Sequence, residues 1–313
     1  MALTHEFAWS ASRASNFEVC RRRHYYHYYG GWLGWDRGAE PERQQMYQLS
    51  KLTRMPMVAG NAVHQSLARY FREKPGHLAD AKDVTDWAVS QLRQCFKESQ
   101  SGMWRQRPAK YTHLAEHHFR EDSVRDREAV TAYGKSFVER IERCVQGFFA
   151  MSDLAWVRDA SPDDYVFVED QESAFDSFTL QNIKIFGTPD FALRDTAGHI
   201  HLYDWKTGRP TDVDAFQLHV YAILAREKWN VPLEQFTAYD AYLNDGKVVR
   251  CEITADSLTA AEGRIQASAD AMRELHFDAD RGLGDPEPFP RIPFDSPAAH
   301  ACDRCNFREP CGR

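Results

Sequence analysis

Two acids and a lysine mark the chemistry that this chain could perform. Asp190 ends Gly187-Thr188-Pro189-Asp190, and Asp204 and Lys206 lie in Tyr203-Asp204-Trp205-Lys206-Thr207-Gly208. Residues 183 to 193 and 200 to 206 read as strands, joined through Asp195-Thr196-Ala197-Gly198, whose glycine suits the left-handed position of a hairpin turn. With residues 196 to 198 as the loop and Asp195 facing His199, counting back along an antiparallel pair sets Asp190 opposite Asp204. Facing Cβ atoms lie roughly 5 Å apart, so the carboxylates meet, and period two sets Lys206 on their face with Trp205 pointing away. Carboxylates that close repel unless a proton or a cation lies between them. Hard oxygen ligands suit Mg²⁺ or Mn²⁺, and a neighbouring lysine can orient a water or stabilise charge on a phosphate. The same three residues also fit an ordinary cross-strand charge pattern at a turn.

A second chemical group lies at the chain's end. Cys302-x2-Cys305-x5-Cys311 supplies three thiolates within ten residues and needs one more ligand. His300 would complete a local zinc site, and distant Cys20 would complete a four-thiolate iron–sulfur cluster. Closing that long loop costs on the order of 5 kcal/mol, which metal–thiolate binding of about 10 kcal/mol or more exceeds.

Pro-Asp followed across a hairpin by Asp-x-Lys resembles the PD-(D/E)XK nuclease superfamily, and Asp204-Trp205-Lys206-Thr207-Gly208 resembles the D-x-K-T-G form of its RecB-type branch. Gln217 and Tyr221 fit that branch's Q-x-x-x-Y, and His64 its G-x-x-x-H. Cys20 with Cys302, Cys305 and Cys311 is similar to the cysteine set of its iron–sulfur members, the helicase-associated and CRISPR-associated exonucleases. The resemblance implies that His64, Asp190, Asp204 and the Trp205 carbonyl hold Mg²⁺ or Mn²⁺. It implies that Lys206 orients the attacking water or stabilises charge, that Gln217 and Tyr221 support the site, and that the four cysteines hold a 4Fe-4S cluster. Asp204 stands where Glu is commoner, one methylene shorter.

Over the whole chain, 313 residues with 43% hydrophobic content support a substantial core. The start lacks a basic stretch followed by an apolar run, and no segment of about 18 apolar residues occurs. The expectation is a soluble, cytoplasmic protein without a membrane partner. A net charge of −7 argues against coating nucleic acid over the whole surface. Residues 1 to 76, with 11 Lys and Arg against 6 Asp and Glu, are the basic exception. There Arg21, Arg22 and Arg23 precede Tyr25 and Tyr26, a mixture that can contact phosphates and stack on unpaired bases, or equally a helix with core tyrosines and solvated arginines.

The positioning elements follow from periodicity. A helix beginning at Gly60 carries Val63, Leu67, Tyr70 and Phe71 with His64 at the stripe's border. Residues 84 to 96 and 129 to 149 read as amphipathic helices with Cys95 and Cys144 on or beside their apolar stripes. The polar stretch 101 to 127, with His113, His117 and His118, reads as solvated. Strands follow from Tyr165 to Glu172 and from Leu180 to Phe186, with Glu169 or Glu172 able to reach the site. Thr211 and Asp212 are candidate caps of a helix to about Trp229 that buries Phe216, Val220 and Ile223. Phe236 to Leu243 and Lys247 to Thr254, the latter containing Cys251, form a hairpin, and a last helix spans about 256 to 276.

The expected fold is α/β, with a central mixed sheet flanked by helices. The chain reads as one composite nuclease domain: residues 60–74 and 161–255 as core, 75–160 as a helical insertion, and 1–59 with 277–313 as an iron–sulfur module. The expected function is a metal-dependent DNA nuclease, an exonuclease on single strands or free ends, with a helicase or a CRISPR or repair protein as partner. The alternative is a catalytically inactive nucleic-acid-binding or assembly subunit with a structural cluster.

Overall fold

A computed structural model describes residues 5–73, 80–169, 176–211, 213–275 and 286–313. Five strands form its central sheet: β3 (Tyr165–Val168), β6 (Phe191–Arg194), β7 (Ile200–Lys206), β8 (Phe236–Tyr242) and β9 (Lys247–Arg250), in the order β3-β6-β7-β8-β9. The β7–β8 pair is parallel and the other three pairs are antiparallel, so the sheet is mixed, as the sequence predicts. The parallel pair needs a crossover, which helix α9 (Asp214–Trp229) provides.

Alternation along β6 and β7 divides the core in two. Phe191, Leu193, Tyr203 and Trp205 face α4 (Met55–Arg72), α5 (Ala81–Ser101) and α7 (Arg127–Ala150). Ala192, Ile200 and Leu202 face α9, α10 (Ala255–Glu274) and α1 (Ala11–Val19). The segment expected as a helical insertion therefore packs on α4 and shares its core. Gly147 of α7 is required there, because a Cβ would meet the Leu243 carbonyl oxygen at 2.0 Å.

A third cluster joins the chain's two ends. Tyr25 of α2 (Arg21–Tyr25), with Tyr26 and Tyr29, packs on Leu49 of α3 (Pro41–Ser50), on Phe289 and on Phe307, just before α11 (Arg308–Cys311).

Several expected elements are corrected. Residues 183 to 193 do not form one strand: β5 (Ile183–Phe186) ends before Gly187 and pairs with β4 (Ser177–Leu180) as a separate hairpin. Its turn residues Gln181 and Asn182 have positive φ, and Pro189, lacking an N–H, cannot continue a ladder. Helix α4 begins five residues before Gly60, because Glu116 Oε1, far away in sequence, accepts from Met55 N at 3.0 Å. Strand β3 stops at Val168, which leaves Glu169 just beyond it, while Glu172 lies outside the described residues.

The stretch 101 to 127 is not a solvated loop. β1 (Leu52–Thr53) pairs in parallel with β2 (His113–Leu114), and α6 (Ala115–His118) follows, with His113 and Glu116 buried. Helix α9 takes Val213 as its N-cap, without a capping side chain; Thr211 instead donates to Asp214, and Asp212 is outside the described residues. Phe216 is half-buried rather than buried. Cys251 follows the end of β9, and residue 276, the expected end of the last helix, is not among those described. Helix α8 (Ala155–Asp159) precedes β3. No helix among the described residues is long and apolar enough to cross a membrane.

Candidate active site

The β6–β7 ladder begins with Phe191 opposite Tyr203, which sets Asp190 and Asp204 at the next facing position. Both side chains are buried, and each carries charge the other opposes. Asp190 is anchored as a carboxylate: its Oδ2 accepts from Trp205 N at 2.6 Å and its Oδ1 bonds His64 Nδ1 at 2.9 Å. Burial alone would raise its pKa, but His64 and these hydrogen bonds hold it below the usual range. Burial and the neighbouring Asp190 push Asp204 well above that range. The two carboxylates thus oppose each other's charge, a repulsion that a proton or a bound cation would relieve.

His64 comes from α4 on the far side of the sheet. Gly60, one turn earlier, lets the helix approach: a Cβ there would stand 3.1 Å from Thr207 Oγ1. Burial would lower the His64 pKa, yet the carboxylates of Asp190, Asp204 and Glu169 hold it up at about 9. One ligand atom each from His64, Glu169 and Asp190 lies within 4.8 Å of the others. The choice between Glu169 and Glu172 that the sequence leaves open falls on Glu169 among the described residues, and its backbone N donates to Asp190 O at 2.9 Å. An imidazole with carboxylates is a donor set that suits Mg²⁺ or Mn²⁺.

Lys206 shares the face of Asp204 and ion-pairs with it, while the Trp205 ring points into the opposite core. Two further carboxylates reach the ammonium, Asp240 Oδ1 at 3.6 Å and Asp214 Oδ1 at 3.8 Å. Lys206 Nζ also donates to Gln217 Oε1 at 3.0 Å. Gln217 Nε2 then donates to the Tyr221 hydroxyl at 2.6 Å, and Tyr221 donates to Thr188 O at 3.0 Å. Gln217 and Tyr221, one helical turn apart, thus tie the lysine to the loop that delivers Asp190.

Asp214 and Asp240 are the acids of this cluster that sequence reading misses. Asp214 also accepts from Thr211 and Tyr242. Asp240 is paired in register with Asp204, which no local pattern reveals; an acid inside the apolar run Phe236 to Tyr242 was the available signal.

The cysteines meet as well. Cys20, Cys302, Cys305 and Cys311 line one pocket with Arg23, Arg308 and Arg313, and none is in a disulfide. Burial raises the Cys302 and Cys305 thiols, and their neighbours Cys20 and Cys311 add to the rise. His300 is exposed, outside that lining, with Nδ1 bonded to Pro297 O at 2.8 Å. Four thiols with three guanidiniums nearby fit a dianionic metal–thiolate group.

The Arg21 to Tyr26 segment is corrected. Tyr25 and Tyr26 are buried on Phe289 and Phe307, and Arg22 is buried, donating to Phe289 O at 2.7 Å. These rings and this guanidinium are core, which leaves exposed Arg21 and half-buried Arg23 at the surface. His113 stacks on Trp104, His117 bonds Ser99, and His118 Nδ1 lies 3.3 Å from His113 Nε2.

A mixed sheet flanked by helices, with Asp190, Asp204 and Lys206 on one face, is consistent with a PD-(D/E)XK core. The chain belongs to the PD-(D/E)XK nuclease superfamily, whose sequence profile matches residues 8–312, and a metal-dependent nuclease is the chemistry of that family. A search of curated proteins gave no match.

Proposed function

We propose that the chain is a deoxyribonuclease of the RecB-type iron–sulfur branch, an exonuclease on single strands or free ends. The observation that carries this reading is the union of His64, Glu169, Asp190, Asp204 and Lys206 at one end of the β6–β7 hairpin. His64, Asp190, Asp204 and the Trp205 carbonyl, with Glu169, would hold Mg²⁺ or Mn²⁺. A divalent ion supplies Lewis acidity toward a phosphate and lowers the pKa of a bound water. Lys206, charged and fixed by its carboxylates and Gln217, orients the water or meets the developing charge. Gln217 and Tyr221 keep lysine and Asp190 in mutual register.

The four cysteines would hold a 4Fe-4S cluster. Support comes from Cys20 lining the same pocket as Cys302, Cys305 and Cys311 while the local competitor His300 points elsewhere. A helicase or a CRISPR or repair protein is the partner class that this branch implies.

The test is incubation of anaerobically purified protein with end-labelled single- and double-stranded DNA, with and without Mn²⁺. Expected is Mn²⁺-dependent shortening from an end, faster on the single strand. DNA left intact under all conditions, or cut equally by an Asp204→Asn variant, overturns the reading.

A further inference from the structure

A groove of about 750 Å³ opens beside His64 and Thr207, between the first turns of α4 and the segment 108–112. Three of its lining residues are lysine or arginine, Lys51, Lys110 and Arg140, and among the described residues no aspartate or glutamate lines it. In a chain with 46 acidic against 39 basic residues, an acid-free groove at the active site is a local reversal of charge. Among the described residues, no ion pair occupies Lys51 or Lys110; their ammonium groups lie over the rings of Tyr47 at 5.1 Å and Tyr111 at 5.4 Å. Arg140 donates to Thr207 O at 2.9 Å, so one cation is fixed to the residue after Lys206.

The walls also carry apolar groups. Met57 is 69% exposed, although it stands in the first turn of α4 between buried Met55 and Val58. Half-buried Tyr111 lines the same groove. Phosphates of a duplex could reach the lysines, but a paired and stacked base offers no face to a ring or a thioether. An unpaired strand offers both phosphates and base faces.

We propose that this groove binds an unpaired DNA strand and feeds it to the site, with phosphates on Lys51, Lys110 and Arg140 and bases against Met57 and Tyr111. The inference deepens the nuclease reading and rests on it for what the groove delivers. Its own content, strand binding, is separable from cleavage.

The test measures anisotropy of labelled oligonucleotides of about 20 nucleotides, longer than one site of this kind, single-stranded and as a blunt duplex, in EDTA so that nothing is cut. Wild type binds the single strand more tightly. Lys51→Glu with Lys110→Glu weakens that binding roughly tenfold or more, and lowers the slope of log affinity against log salt by about 1.4, two lost phosphate contacts. Tyr111→Ala weakens binding roughly fivefold or more without changing the slope. Should the double glutamate variant fail to fold, Lys51→Gln with Lys110→Gln reads the same slope. Unchanged affinity and slope in a folded double variant, or a wild-type preference for the duplex, overturns the inference. A chain that cuts no DNA but loses strand binding in these variants refutes the nuclease reading alone; one that cuts DNA regardless of them refutes the groove alone.

Discussion

Asp204 and Asp240 stand side by side on adjacent parallel strands, and the Lys206 ammonium reaches both. Asp240 Oδ1 is buried and accepts no hydrogen bond, so Lys206 is the group that compensates it. Burial pushes the Asp240 pKa up to about 6. Its position makes it a residue that holds the lysine in place rather than one that touches substrate. Asp240→Asn is expected to lower kcat roughly tenfold, equivalent to about 1.4 kcal/mol, with KM and metal affinity nearly unchanged. Steady-state kinetics with a parallel thermal melt decide: a fall in Tm with kcat preserved would leave Asp240 a purely structural acid.

Asp204 and Lys206 should behave differently when replaced. Asp204→Asn keeps shape and removes charge from a crowded acidic pair, so cleavage should fall roughly 10²-fold or more while the fold stays intact. Lys206→Ala also stops cleavage, but it leaves Asp204, Asp214 and Asp240 facing one another. That variant should lose about 3 kcal/mol of stability, as when one partner of a buried ion pair is removed. Urea denaturation of the two variants beside an activity assay checks the split.

His64 should act on the metal. His64→Ala removes the imidazole and leaves a site of carboxylates, so Mn²⁺ binding should weaken roughly tenfold or more. Calorimetric titration of Mn²⁺ into wild type and variant measures this directly. Identical titration curves would make His64 a core residue that only stabilises the Asp190 carboxylate.

The readable part of the site was the part set by one hairpin and one helix. Asp190 opposite Asp204, Lys206 beside them, and Gln217 with Tyr221 on one face all follow from period two or a four-residue step. Asp240 was illegible because its place depends on a parallel crossover, which local periodicity does not encode. The start of α4 is likewise not encoded locally: Glu116, which accepts from Met55 N, arrives from another segment. The tyrosines of residues 25 and 26 were ambiguous because a core aromatic and a stacking platform look alike until the partner surface, here Phe289 and Phe307, is known.

His113 should make the fold acid-sensitive. Its ring is buried and stacked 3.3 Å from Trp104, and its Nδ1 has no hydrogen-bond partner. Burial first, then His118, Arg105 and His117, lower its pKa to about 3, against about 6.5 in an unfolded chain. The unfolded form therefore binds more protons between these values. The stabilisation is complete above the unfolded pKa and declines as pH falls toward the folded one. From about pH 7.5 to 5 this residue alone should cost about 2 kcal/mol. Urea midpoints at the two pH values should fall less in His113→Gln than in wild type; equal slopes in the two proteins would refute the assignment.

The cysteine pocket makes a prediction in which two distant substitutions must agree. Cys20 caps α2 through a contact from Arg23 N to its sulfur, and Cys305 likewise accepts from Phe307 N, both at 3.4 Å. Each thiol is therefore held by the backbone of its own turn, at opposite ends of the sequence. If they ligate one 4Fe-4S group, the anaerobic protein is brown and contains iron and acid-labile sulfide. Cys20→Ala should then bleach the colour as fully as Cys305→Ala, while His300→Ala, whose ring is exposed and bonded to Pro297 O, leaves it unchanged. Both cysteine variants should melt at lower temperature, because metal–thiolate binding worth about 10 kcal/mol or more is lost. They should still fold, since Arg22 on Phe289 O and the Tyr26 hydroxyl on Pro310 O join the two termini without metal. A colourless wild type with one zinc, sensitive to His300→Ala and indifferent to Cys20→Ala, would defeat the cluster. Metal and sulfide analysis of these four proteins, purified together under argon, separates the outcomes.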